Sequence, residues 1–153
     1  MHGEYEKIEA QRQLCIGKEY PAKLLNYTYQ FALNSEIGSC KGDAACVGPK
    51  IDALYTKLGI SKTKIDSCMK SDGETLYAAE EANSKANSVS GSPTLIINEQ
   101  DVQSGRDSAS YLETICGAFN IAPAECDEVL SSTVPSAGFG ASAGSASSSA
   151  AQC

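Results

Sequence analysis

No C-x-x-C occurs in the 153-residue chain, although it holds seven cysteines. Redox catalysis ordinarily needs a low-pKa thiolate beside a resolving cysteine, commonly as C-x-x-C at a helix N-terminus, so that motif is excluded here. Histidine is almost absent too. The single residue is His2, which argues against a zinc site, so no metal and no cofactor are expected. Basic clusters are missing, and the net charge of -7 makes nucleic acid or an anionic membrane surface a poor partner. No apolar run approaches the length of a membrane span. The N-terminal "MHGEYEKIEAQRQLC" has no hydrophobic stretch of the signal-peptide kind.

What is present points to an oxidised, helix-rich domain. Six cysteines (Cys15, Cys40, Cys46, Cys68, Cys116 and Cys126) lie before residue 130, and Cys153 closes the chain. An even set in a small domain implies structural disulfides and an extracytoplasmic or lumenal, oxidising compartment. A cysteine-rich chain without a secretion signal poses a conflict. The favoured resolution is a true start upstream of Met1; the other is a host that keeps disulfides in its cytosol. Residues 131–153 are almost all Ser, Ala and Gly without charge. Such a stretch has too little apolar bulk to offset its ordering entropy and is expected to be disordered.

Residues 1–88 read as a helical region and 89–130 as a hairpin with a closing helix. Tyr5, Ile8, Arg12 and Cys15 recur at helical spacing, with Gly17 as the expected stop. Pro21 suits a helix first turn, and Leu24, Tyr27, Thr28 and Phe31 mark one face up to Asn34. Residues 36–46 read as a loop. A further helix is expected from Ala44 to Leu58, bent at Pro49 and stopped at Gly59. Ser61 and Asp72 are placed to cap the two helices that follow. At Val89 the pattern changes: Gly91, Ser92 and Pro93 break any helix, and Thr94 to Asn98 is β-rich. Residues 98–101 form a turn, with Val102 on a brief return strand. Asp107 or Ser108 caps a last helix whose buried face is Tyr111, Leu112, Ile115, Cys116 and Phe119. The continuous run Leu95, Ile96, Ile97 suits a strand covered on both faces in a larger sheet, and the chain offers no strands for it to join.

The helical region followed by Ser-Pro-Thr, a hairpin and "YLETICGAF" resembles the second part of a thioredoxin-fold oxidoreductase. More specifically, it resembles the gamma-interferon-inducible lysosomal thiol reductase group and related DsbA-like proteins. His2, Gly3 and Glu6 match the family's His-Gly-x-x-Glu segment, Cys15 the cysteine after it, and "LGISKTKIDSCMKSDG" with Cys68 the second helical pair. "ICGAFNIAPAEC" matches the closing helix with Cys116 and Cys126. The resemblance covers approximately Met1 to Cys126. It implies an α/β, partial thioredoxin-like fold with a large helical insertion, a C-terminal β-hairpin and a closing helix. In that family a β-α-β unit with the C-x-x-C precedes everything seen here, so this chain reads as a member beginning in its middle.

The same resemblance implies that Pro93 is cis and that Ser92, Pro93 and Thr94 bind an extended, cysteine-containing protein or peptide substrate through the backbone of Ser92. Without it, a trans proline opening a strand is the plainer reading. No catalytic residue is assigned within this chain. The expected function is that of a thiol-disulfide oxidoreductase-family domain inactive on its own. The alternative is a redox-inactive peptide-binding module held by structural disulfides; a weaker third is an interaction module made of the stapled helices. His2 would lie near the family's redox centre, or else is a solvated terminal side chain. Glu80, Glu81, Glu4 and Glu6 read as solvated helix faces. Six cysteines allow fifteen pairings. The sequential one is expected: Cys15–Cys40, Cys46–Cys68 and Cys116–Cys126. Cys153 is left as a free thiol, an intermolecular disulfide or an attachment point.

Overall fold

Capping chemistry and apolar spacing together set the helices of the first part of the chain. The structure, a computed structural model, describes residues 4–40 and 42–135. The expectations for His2, Gly3, Cys153 and the Ser/Ala/Gly stretch beyond residue 135 fall outside the described residues. Two compact units are present, one ending at Ser84 and the other beginning at Lys85. The division expected after residue 88 lies just past the last turn of the helix that spans this point.

The first unit holds α1 (Glu4–Glu19), α2 (Pro21–Leu33), α3 (Ser35–Ser39), α4 (Ala44–Leu58), α5 (Lys62–Ser71) and the start of α6 (Gly73–Ala86). Pro21 occupies the first turn of α2, where its missing N–H costs nothing. Asn34 caps α3 by accepting from the amides of Glu36 and Ile37, Asp43 caps α4 through Ala45 and Cys46, and Ser61 caps α5 through Lys64. Gly59 ends α4 in the left-handed region at φ 63°, which favours glycine.

Around these helices lies one core. Cys15, Ile16, Tyr27, Phe31, Ile51, Leu54, Tyr55 and Ile65 are all buried. α1 packs on α2 and α5, and α4 packs on α2 and α3. Each fully covered aliphatic side chain here contributes about 1.5–3 kcal/mol.

Two local expectations are corrected in this unit. Gly17 does not stop α1, which continues to Glu19. A Cβ at Gly17 would sit 3.3 Å from Leu24 Cδ2, so the glycine serves close packing of α2 rather than termination. Residues 36–46 are not wholly a loop either, because the Asn34 side chain nucleates the short α3 there.

The disulfides overturn the sequential pairing. Cys15 bonds Cys68, and Cys40 bonds Cys46. Only Cys116–Cys126 is as expected. The cause is tertiary: packing of α1 against α5 brings Cys15 within 5.8 Å (Cα–Cα) of Cys68, across 53 residues of sequence.

In the second unit, β1 (Ile96–Ile97) pairs antiparallel with β2 (Gln100–Asp101), Ile96 opposite Asp101 and Ile97 opposite Gln100. The Val102 amide donates to the Leu95 carbonyl at 2.9 Å and extends the ladder. Gln100 and Asp101 therefore belong to the strand and not to the turn. Asn98 and Glu99 both have positive φ, 51° and 64°, the signature of a two-residue type I′ turn. Asp107 caps α7 (Ser108–Cys116), and a 3₁₀ turn at Ala124–Asp127 is tied to it by the Cys116–Cys126 bond.

The apolar face expected on α7 is not buried. Tyr111, Leu112 and Cys116 are half-covered, while Ile115 and Phe119 are 42% and 52% exposed. A two-stranded hairpin offers α7 too little surface to cover that stripe. Among the described residues the architecture is thus mainly helical with one two-stranded antiparallel sheet. At that coarse level it is compatible with the expected α/β class.

Candidate functional site

Helix-breaking residues shape the loop that leads into β1. Gly91, Ser92 and Pro93 turn the chain, and the Ser92–Pro93 peptide bond is cis, the isomer implied by the resemblance. Thr94 Oγ1 donates to the Gly91 carbonyl at 2.7 Å and closes the turn. Ser92, Pro93 and Thr94 are all exposed. Neither the N–H nor the carbonyl of Ser92 has a hydrogen-bond partner among the described residues. Both backbone groups are therefore open to an incoming strand.

The loop borders a cleft of about 450 Å³. Asp101, Val102, Ser104, Arg106 and Tyr111 line it as well. That volume suits a few residues of extended peptide or a small molecule. The three residues singled out in the sequence thus all line a single cleft. Arg106 was not singled out and Tyr111 was expected only on the buried face of α7, because nothing in a linear pattern shows that the start of α7 and the residues before it border the same cleft as the loop. No cysteine lines the cleft. The described cysteines are instead the three disulfide pairs, and no group of three or more His, Cys, Asp or Glu among the described residues is placed to hold a metal ion.

No protein-family model, no curated protein and no solved structure matches this chain. The residues themselves therefore carry the functional argument.

A second cluster, missed in the sequence, lies in the helical core. Glu9 is buried and accepts from Arg12, from Gln13 Nε2 at 3.1 Å and from the Tyr27 hydroxyl at 3.1 Å. Burial pushes the Glu9 carboxyl above its ordinary range, against the opposing charge of Arg12 and the hydrogen bonds it receives. Burial likewise raises the Tyr27 and Tyr55 hydroxyls. The signal was legible in part, since Arg12 sits on an otherwise apolar helical stripe and Glu9 is one turn before it. These groups are packed inside the core, where they form a paired buried charge that ties α1 to α2 through Tyr27.

Disulfides of this number are typical of an oxidising environment. No described helix is long and apolar enough to cross a membrane.

Proposed function

We propose that the chain is a thiol-disulfide oxidoreductase-family domain that binds extended, cysteine-containing protein segments at the Ser92-Pro93-Thr94 loop. The unpaired backbone of Ser92 facing a peptide-sized cleft is the observation that carries this reading. A substrate strand would donate to the Ser92 carbonyl and accept from its N–H, as in β-strand addition. Arg106 would offer a charge-assisted donor to the substrate's carbonyls or acidic side chains. On this reading the architecture is a partial thioredoxin-like fold, supported by a hairpin whose strands have no further neighbours among the described residues. The compartment is extracytoplasmic or lumenal, supported by the three disulfides.

The loop has no redox pair of its own in this sequence, so its part is substrate binding. The pairing of all six described cysteines favours a second reading: a redox-inactive peptide-binding module whose disulfides serve stability alone.

Titration of the chain with an unstructured peptide containing one cysteine, followed by amide NMR, tests the binding step. Shifts confined to residues 90–95, 101–106 and Tyr111 are expected. Ser92→Pro removes the only N–H that Ser92 offers and should weaken binding on the order of tenfold, about the free energy of one hydrogen bond. Binding unaffected by Ser92→Pro, or shifts elsewhere, would overturn the assignment.

A further inference from the structure

The three disulfides differ sharply in how an external thiol meets them. Cys15 is 0% and Cys68 4% exposed, so a reagent reaches neither sulfur without opening the core. Cys116 and Cys126 are both half-buried. In the remaining pair Cys40 is buried and Cys46 is exposed. Cys46 is the one exposed cysteine among the described residues, and it lies in the first turn of the fifteen-residue α4.

We propose that Cys40–Cys46 is an exchangeable disulfide, attacked at Cys46 by external thiolates and reversibly reduced by dithiols. This proposal concerns the helical unit and stands apart from the peptide-loop reading. In-line attack on a disulfide expels the far sulfur, so an incoming thiolate that meets Cys46 Sγ must release Cys40. The S–S bond breaks, a mixed disulfide forms at Cys46, and the electron pair leaves on Cys40 Sγ, which then takes a proton. The second thiol of the dithiol attacks its own sulfur in the mixed disulfide and expels Cys46, which is protonated in turn. The net change is one external dithiol oxidised to a disulfide and one protein disulfide reduced to two thiols.

The surroundings suit that route. Cys40 Sγ lies 3.2 Å from the Glu36 carbonyl oxygen. A disulfide sulfur has no proton to donate there, but the released Cys40 thiol has one, and the carbonyl is already in place to accept it. Asp43 takes up the Ala45 and Cys46 amides, and its carboxylate offsets the helix-terminal field at Cys46. Access therefore sets the preference for this pair, and thiolate activation contributes little. Reversibility follows from the frame. Ile37 and Val47, on the two helices flanking the pair, are both buried in the core and hold the two cysteines close after cleavage. Re-oxidation is then a local closure rather than a search.

Graded dithiothreitol applied to the native full chain, with a Cys153→Ser chain in parallel, tests the order of opening. Acid quenching, N-ethylmaleimide labelling and peptide mapping read the products. Cys40 and Cys46 should be labelled together, on the order of tenfold faster than any other described cysteine. Earlier or simultaneous labelling of Cys116 and Cys126, or of Cys15 and Cys68, would overturn the proposal. A second measurement traps the intermediate with reduced glutathione. Glutathione on Cys46 supports the stated direction of attack, and glutathione on Cys40 refutes it. The peptide-binding titration is unaffected by either result, so the two readings fail separately.

Discussion

The hydroxyl of Tyr27 donates to Glu9 Oε1 at 3.1 Å, joining α2 to a carboxylate that α1 buries. Tyr55, whose ring centroid is 6.0 Å from that of Tyr27, is buried in the same core, yet its hydroxyl makes no well-formed hydrogen bond among the described residues and has only the Arg12 guanidinium beside it. Two tyrosines side by side therefore differ in how well their hydroxyls are bonded. Tyr27→Phe removes a bond to a charged acceptor and should cost about 1.5–3 kcal/mol. Tyr55→Phe removes a buried hydroxyl without a well-formed hydrogen bond and should cost less than Tyr27→Phe. Urea denaturation of both variants checks this, and equal losses at the two positions would contradict it.

Glu9 makes stability depend on pH in a defined direction. Its carboxyl is raised, by burial first, above the ordinary carboxylate range. The folded chain then holds this proton more tightly than the unfolded chain does. That contribution is complete below the unfolded pKa and is lost as pH rises through the raised folded value. Unfolding free energy should fall across that window in the native chain. Glu9→Gln cannot titrate and should flatten the fall; an unchanged slope in the variant would assign the pH dependence to another group.

The disulfides should differ in what they add to stability. Cys15–Cys68 spans 53 residues and Cys40–Cys46 only 6. The loop-entropy relation gives roughly 4 kcal/mol for the long closure and roughly 2 kcal/mol for the short one. Alanine at both Cys15 and Cys68 should therefore lower the urea midpoint well below that of the chain with alanine at Cys40 and Cys46. The reverse order would mean that local geometry, and not chain closure, dominates.

The hairpin turn carries a correctable cost. Glu99 sits at φ 64°, where a side chain is disfavoured and glycine is not. Glu99→Gly should stabilise the hairpin by about 1 kcal/mol. Slower exchange of the Val102 amide, which bonds the Leu95 carbonyl, is the readout. Faster exchange would show that Asn98 and Glu99 do not form the type I′ turn.

Asp107 should make α7 sensitive to acid. The Ser110 hydroxyl and then the Ser110 amide hold its carboxyl below the usual range. A depressed carboxylate contributes stability above its unfolded pKa, and that contribution is lost as pH falls through the folded value. Amide protection in α7 should drop on acidification in the native chain. In Asp107→Ala it should start low and lose this pH dependence. Retained protection in the variant would remove Asp107 as the cap.

Local chemistry was legible without coordinates. Pro21, Gly59, Ser61 and Asp107 act through their own backbone dihedrals or neighbouring amides, so sequence alone set those helix boundaries and the break at Gly91-Ser92-Pro93. The Ser92-Pro93-Thr94 loop was visible for the same reason. The part that Arg106 and Tyr111 take in the same cleft was not, since they come from a segment beyond the hairpin. Gly17 misled because its role is the approach of Leu24, a contact across two helices. The disulfide partners and the burial of Glu9 were decided only by tertiary structure. Cysteine spacing states how far apart two thiols lie along the chain, whereas helix packing brings Cys15 to Cys68 and seals Glu9 against Tyr27.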